Sequence, residues 1–285
     1  GGFQSTDSTE QLPELGPPLV EDLDAIEILD PEDPIWVTKD RKSVVMQGRV
    51  RQRDVPLEFF VARTGPKDHE TVVTLDIKPH IIQAGLIAAG AEPGSPVVFY
   101  PEFKPPTGPI IDVEVRWKDA DGNVQKARGQ DWVKDSLTGK PMTQDWVFTG
   151  SRLVKDERTG RNIFLASVEG EIICLANFAG AIMDVDMKSS DSDNNLMFRA
   201  NTEAIPEIGT PVTLVLTPRP ETAPASTTET TQPADVLPET TAQPETPATE
   251  PPTLEAPTLE APAVEPPKPE SPQTETPSIE IQPAG

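Results

Sequence analysis

From Pro220 to Gly285 the chain is written almost entirely in Pro, Thr, Glu and Ala, and that stretch decides where a fold can lie. It holds 16 of the chain's 34 prolines, with twelve acids and one lysine. Such a composition cannot bury enough apolar surface to offset the entropy of ordering, so 220–285 is expected to be a disordered tail. Inside it Thr253-Leu254-Glu255-Ala256-Pro257 is repeated at once as Thr258-Leu259-Glu260-Ala261-Pro262. The other end is equally biased: residues 1–34 carry ten acids and no Lys or Arg. The formal charge of −23 therefore divides into −10, −2 and −11 along the chain. We expect an acidic, mostly disordered arm over 1–32, a globular domain over 33–219 and the tail beyond. Acidic flanks repel a phosphate backbone, which argues against nucleic acid as a partner.

Within 33–219 the pattern is many short strands. Ser43–Arg53 and Leu57–Ala62 read as strands joined through Asp54-Val55-Pro56. Gly65-Pro66 then delivers Lys67-Asp68-His69-Glu70, followed by an apolar run over 71–77. A helix is expected over about 79–89, with Pro79 at its start and Gly90 just past its end. Short strands are expected over 97–100 and 163–166, the latter paired with 171–176, and a helical turn over 178–183. Ile111, Val113, Val115 and Trp117 alternate, and Asp121-Gly122 turns them into Val124–Arg128 as a hairpin. Lys134–Lys140 and Lys155–Arg161 are near-repeats and read as hairpin loops with glycine in the left-handed position. Pro211–Thr217 is the last strand. The fold class is α+β, mainly β: an antiparallel-rich domain with a single substantial helix. In the arm, Leu19, Val20, Leu23, Ile26 and Leu29 suit a short amphipathic helix or a docking strand, and the first 17 or so residues are expected to be disordered.

One cysteine, Cys174, excludes a disulfide framework and an all-cysteine iron–sulfur site. It lies in an apolar run that reads as a buried strand, hence a core thiol. The longest apolar helical stretch is too short to span a bilayer. The chain opens Gly1-Gly2 without methionine, as a processed form would, and its polar acidic start is of the kind that follows the lipidated cysteine of a bacterial lipoprotein. A membrane is thus expected as a partner only through an anchor outside this sequence, and the compartment expected is the periplasm or cell envelope.

Several strings occur in order: Leu57-Glu58-Phe59-Phe60, Lys67-Asp68-His69-Glu70-Thr71, Gly94-Ser95-Pro96, Trp146–Ser151, Ile173–Phe178, Ser189–Asp193 and Asn201–Pro206. Together they resemble the YdjY-like domain of exported proteins from planctomycete-type bacteria, over residues 33–218. The resemblance implies no established activity. Enterobacterial relatives are described as ferredoxin-like, which one cysteine cannot support here. It also implies cysteine near Ala62 and glutamate at position 68, two places where this chain departs from the pattern.

Three residue groups carry chemistry. Asp68, His69 and Glu70 have the composition of a general base or a metal site, against the plainer role of fixing a strand entry. Asp184, Asp186, Asp191, Asp193, Asn194 and Asn195 are oxygen donors suited to calcium, but without the glycine and glutamate of an EF-hand; the plainer reading is a polar loop. Arg49, Arg51 and Arg53 alternate along one strand face and suit an anionic polymer or the protein's own acidic flanks, against a solvated outer face. No cofactor is expected, calcium being the weak exception. Three functions compete: an exported non-catalytic module binding a protein or envelope polymer; a metal-dependent or acid/base enzyme centred on Asp68-His69-Glu70; and a structural envelope component acting through its Pro/Thr-rich tail.

Overall fold

The computed structural model describes residues 12–189 and 196–220. Its strands, in chain order, are β1 (Ile26–Ile28), β2 (Ile35–Thr38), β3 (Val44–Val50), β4 (Phe59–Arg63), β5 (Thr71–Leu75), β6 (Ile111–Lys118), β7 (Val124–Arg128) and β8 (Val133–Asp135). They continue as β9 (Trp146–Phe148), β10 (Leu153–Lys155), β11 (Asn162–Phe164), β12 (Glu171–Cys174), β13 (Met183–Val185), β14 (Phe198–Ala200) and β15 (Pro211–Pro218). Helix α1 spans Pro79–Ala88 and the short α2 Leu165–Glu169. The architecture is the mainly β, antiparallel-rich α+β fold expected, with α1 as its one substantial helix.

The main sheet runs β7-β6-β15-β3-β5-β4-β12-β13-β9, with β2 and then β1 added on β3. Two pairs are parallel, β4 with β5 and β12 with β13. The sheet curls until its ends meet: Ile110, just before β6, bridges Val147 of β9, and the Phe148 amide donates to the Pro109 carbonyl at 2.9 Å. Alternation dictates what the curl encloses. Val44, Met46 and Val50 of β3, Ile111, Val113 and Val115 of β6, and Val212, Leu214 and Leu216 of β15 all enter one core. Ile82 and Leu86 of α1 join it, and Gly85 lets the helix sit against Val44. The intervening residues Gln47, Arg49, Arg116 and Thr213 are left on the outer face.

Several local expectations change. Residues 163–166 do not pair with 171–176. Instead β11 folds back on β10, α2 follows and ends at Gly170 (φ 75°), and β12 pairs with β4 and β13. The tight loop between β10 and β11 commits 162–164 locally before β12 is reached. Residues 97–100 form no strand, only bridges Ser95–Thr107 and Val98–Lys104. Of the helical turn expected over 178–183, residues 178–181 make a single turn, closed by the Ala181 amide on the Phe178 carbonyl, and Met183 already belongs to β13. The near-repeat is structural: Gly139 and Gly160 (φ 67° and 69°) donate to Asp135 and Asp156 carbonyls, and each aspartate side chain caps its own loop.

The largest difference lies in the arm. Residues 12–32 are part of the fold, not free chain. Leu23–Ala25 forms one 3-10 turn and Ile26–Ile28 pairs antiparallel with β2, the docking-strand alternative. Upstream, 12–22 lies across the outer face, including the stretch to residue 17 expected to be disordered. Residues 1–11 and the tail from 221 lie outside the described residues.

Candidate functional site: the outer face of the sheet

The outer face owes its character to alternation on β3, β6 and β15. Where core positions are aliphatic, their neighbours are Gln47, Arg49, Glu114, Arg116, Lys118 and Thr213. These side chains hold the arm by its main chain. Gln47 Nε2 donates to the Gly16 carbonyl at 3.1 Å, Thr213 Oγ1 accepts from the Leu19 amide at 2.9 Å, and Arg116 Nη1 donates to the Leu19 carbonyl at 3.0 Å. One acid is also met, Glu21 by Lys126 Nζ at 3.0 Å. Three cavities of about 150, 230 and 290 Å³ follow one another along the arm, from Leu12 and Leu15 to Val20–Ile26.

Two of the residue groups singled out in the sequence meet at the first of these cavities, which Arg49, Arg51 and Asp68 line together. Arg51 Nε lies 3.1 Å from Asp68 Oδ2, while Asp68 Oδ1 accepts from the Gly65 amide at 2.8 Å. Asp68 thus closes its own turn and neutralises an arginine. Arg53 leaves the strand, pairing with Glu207 and donating to the Thr202 carbonyl. His69 points away: its side chain is 70% exposed and its Nε2 lies 3.1 Å from Glu70 Oε1. The three residues form one 3-10 turn, in which Asp68 and His69 diverge. His80 is exposed on the first turn of α1.

Of the oxygen-rich cluster, Asp191, Asp193, Asn194 and Asn195 lie outside the described residues, and Asp186 is exposed. Asp184 is buried in β13 and committed. Its Oδ1 accepts from Asn177 Nδ2 at 3.2 Å and the Val185 amide at 2.8 Å, and its Oδ2 from the Phe178 amide at 3.3 Å. Burial pushes its carboxyl up to about 8, against the pull of those three donors. Among the described residues no group of three or more His, Cys, Asp or Glu side chains is placed to hold a metal ion.

Asp184 belongs to a buried polar cluster. Lys67 Nζ lies 2.6 Å from Glu171 Oε1, and 4.9 and 5.2 Å from the ring centroids of Phe59 and Phe178, which stack on one another. The pair is desolvated on the carboxylate side, and burial raises Glu171 although Lys67 opposes it. Cys174 packs with Phe59, Ala62 and Ala181, and burial, then the nearby Asp184 and Glu171, push its thiol well above its ordinary value. A thiol so placed is a poor nucleophile. Asn177 links the cluster to Ser189, accepting from its amide at 2.7 Å, and the Ser189 hydroxyl donates to the Leu175 carbonyl.

Neither Lys67 with Glu171 nor the grip of Gln47, Arg116 and Thr213 was singled out in the sequence. Gln47 shares the parity of Arg49 and Arg51, so alternation alone places it on their face. Glu171 opens an apolar run, and nothing local marks the lysine a hundred residues earlier as its partner. The strings Glu58–Phe60, Lys67, Cys174–Phe178 and Ser189 converge on this cluster, with the Leu175 and Ala176 amides donating to the Glu58 carbonyl. A family model for the YdjY domain matches residues 35–217. No curated protein and no solved structure matches the chain.

Proposed function

The chain belongs to the YdjY domain family, and from that premise we propose that it is an extracytoplasmic, non-catalytic binding module whose contact surface is the outer face of the sheet. One observation carries the reading: a segment of polypeptide already lies there, gripped through main-chain atoms by Gln47, Thr213 and Arg116. Main-chain capture suits an extended polypeptide, because every residue offers the same donor and acceptor whatever its side chain. Lys118 and Lys126 set the sign of the charge the face prefers, Arg116 being paired with Glu114 at 2.6 Å.

The test is surface plasmon resonance of the full chain over immobilised acidic, neutral and basic peptides of equal length. Binding that favours the acidic peptide, is weakened at least tenfold by Arg116→Ala and is indifferent to His69→Ala supports the module. A turnover that His69→Ala abolishes would overturn it in favour of acid/base chemistry at Asp68-His69-Glu70.

A further inference from the structure

We infer that residues 12–22 are a displaceable occupant of the outer-face groove, and that the ligand taking their place is an acidic peptide. This rests on the reading of the domain as a binding module.

The hold on this segment is polar and shallow. Of residues 12–25 only Pro18 is buried. Leu15, Leu19 and Val20 are half-buried, and the polar attachments of 12–22 are the bonds from Gln47, Thr213 and Arg116 and the exposed Lys126–Glu21 pair, while Ala25 is held further on by the Lys39 amide. An element with so little buried apolar surface opens locally at far lower cost than the strands beneath it. The floor is also one that water can cover. Under the arm lie Gln47, Arg116, Lys118 and Thr213, whose donors and acceptors are satisfied by solvent when the arm leaves, beside Val45 and Val215, whose exposure is the one apolar cost of lifting it. The arm lies upstream of β1, where pairing with β2 fixes the chain, so it can lift from residue 22 backwards without unpairing the sheet.

The chemistry of the occupant describes the ligand. It turns at Gly16 and again at Pro18–Val20, it brings carbonyls and an amide to three fixed side chains, and it places Glu21 on Lys126. It belongs to a segment of ten acids and no bases over residues 1–34. A tethered arm competes at an effective concentration on the order of millimolar, so a free peptide of the same sequence must approach that concentration to replace it. A ligand that binds at lower concentration has to offer more contacts than the arm does, or several copies of them.

The probe is an isotope-labelled synthetic copy of residues 12–22, added to the full chain. In hydrogen-exchange mass spectrometry its addition is expected to speed exchange of the protein's own 15–21 amides while β15 amides stay unchanged. In fluorescence polarisation, half-saturation is expected at roughly millimolar for the natural sequence. The arm variant Pro18→Gly with Glu21→Lys, which leaves the floor intact, is expected to bind at least tenfold tighter, and Arg116→Ala or Gln47→Ala in that background to lose the gain. Melting curves on each variant confirm that the sheet is folded. Binding that the arm variant does not tighten, with no change in arm exchange, would overturn the displaceable occupant and leave the binding module standing. No binding by any form would overturn both.

Discussion

Replacing Asp184 by asparagine isolates the competition between burial and hydrogen bonding at one carboxyl. In the folded chain that group is raised from 3.8 to about 8, first by burial, while Asn177 and the Val185 and Phe178 amides favour its ionised form. A folded-state value above the unfolded one means that the unfolded chain releases its proton first. The stability this group contributes is complete below pH 3.8 and is lost as pH rises towards 8. The loss is about 1.4 kcal/mol for each pH unit, so roughly 2.7 kcal/mol between pH 5 and pH 7. The Asp184→Asn side chain cannot ionise and lacks that slope. Its amide also sets a donor against the Phe178 amide in place of Oδ2, a fixed cost that shifts the variant's curve without tilting it. Urea unfolding of both proteins at several pH values from 5 to 9 is the assay, and the readout is how their difference changes. It should move in favour of the variant by roughly 2.7 kcal/mol between pH 5 and pH 7. Parallel curves would refute the reasoning, because they would show Asp184 already ionised in the folded state and its three donors outweighing burial.

Two further perturbations test the packing. Lys67→Met leaves the Glu171 carboxylate buried without its ammonium and should cost about 3 kcal/mol at neutral pH. Glu171 is raised further without Lys67, so the deficit should shrink on acidification towards pH 4; a deficit that ignores pH would show that Glu171 is not the group affected. Gly108→Ala drives a Cβ into the Phe148 carbonyl oxygen at φ 151°, against backbone that cannot yield. It should cost about 3 kcal/mol or more. Gly122→Ala, at φ 82° with nothing within 4 Å, should cost only about 1 kcal/mol, the left-handed backbone term alone. Equal melting temperatures for the two would sink the argument.

Periodicity made much of the sheet readable. The alternation of Ile111, Val113 and Val115, the Asp-Gly turn before Val124, and the proline and glycine bracketing α1 are local signals, and each element formed where its signal lies. The same parity placed Arg49 outward. What local pattern does not hold is pairing between distant residues. Residues 163–166 and 171–176 look like neighbours in a hairpin, yet Gly170 ends a helix between them and β12 finds β4, over a hundred residues upstream. The arm was harder still: its acids read as solvated chain, and only the assembled floor of β3, β6 and β15, with Gln47, Arg116 and Thr213 beside Val45 and Val215, explains why it lies down. In the site, Lys67 and Glu171 are ordinary charges in sequence, and their burial is a property of the assembled strands.

The position of β15 has a consequence for how the domain comes into being. The last strand of the domain is not an edge but a seam, hydrogen-bonded along its length to β3 on one side and β6 on the other. Until Pro211–Pro218 has been synthesised, β6 and β7 lack the strand-length pairing that joins them to β3, and among the described residues only the bridge of Ile110 to Val147 ties them to the rest of the sheet. Chains ending at residue 210 should therefore lack the protease-resistant core of the full chain. The pairing of Val44 with Leu216 also closes a loop of most of the domain, the kind of contact that makes folding slow. Folding of the domain is thus tied to the synthesis of β15, and a growing chain stays unlocked and open to chaperones until that strand emerges.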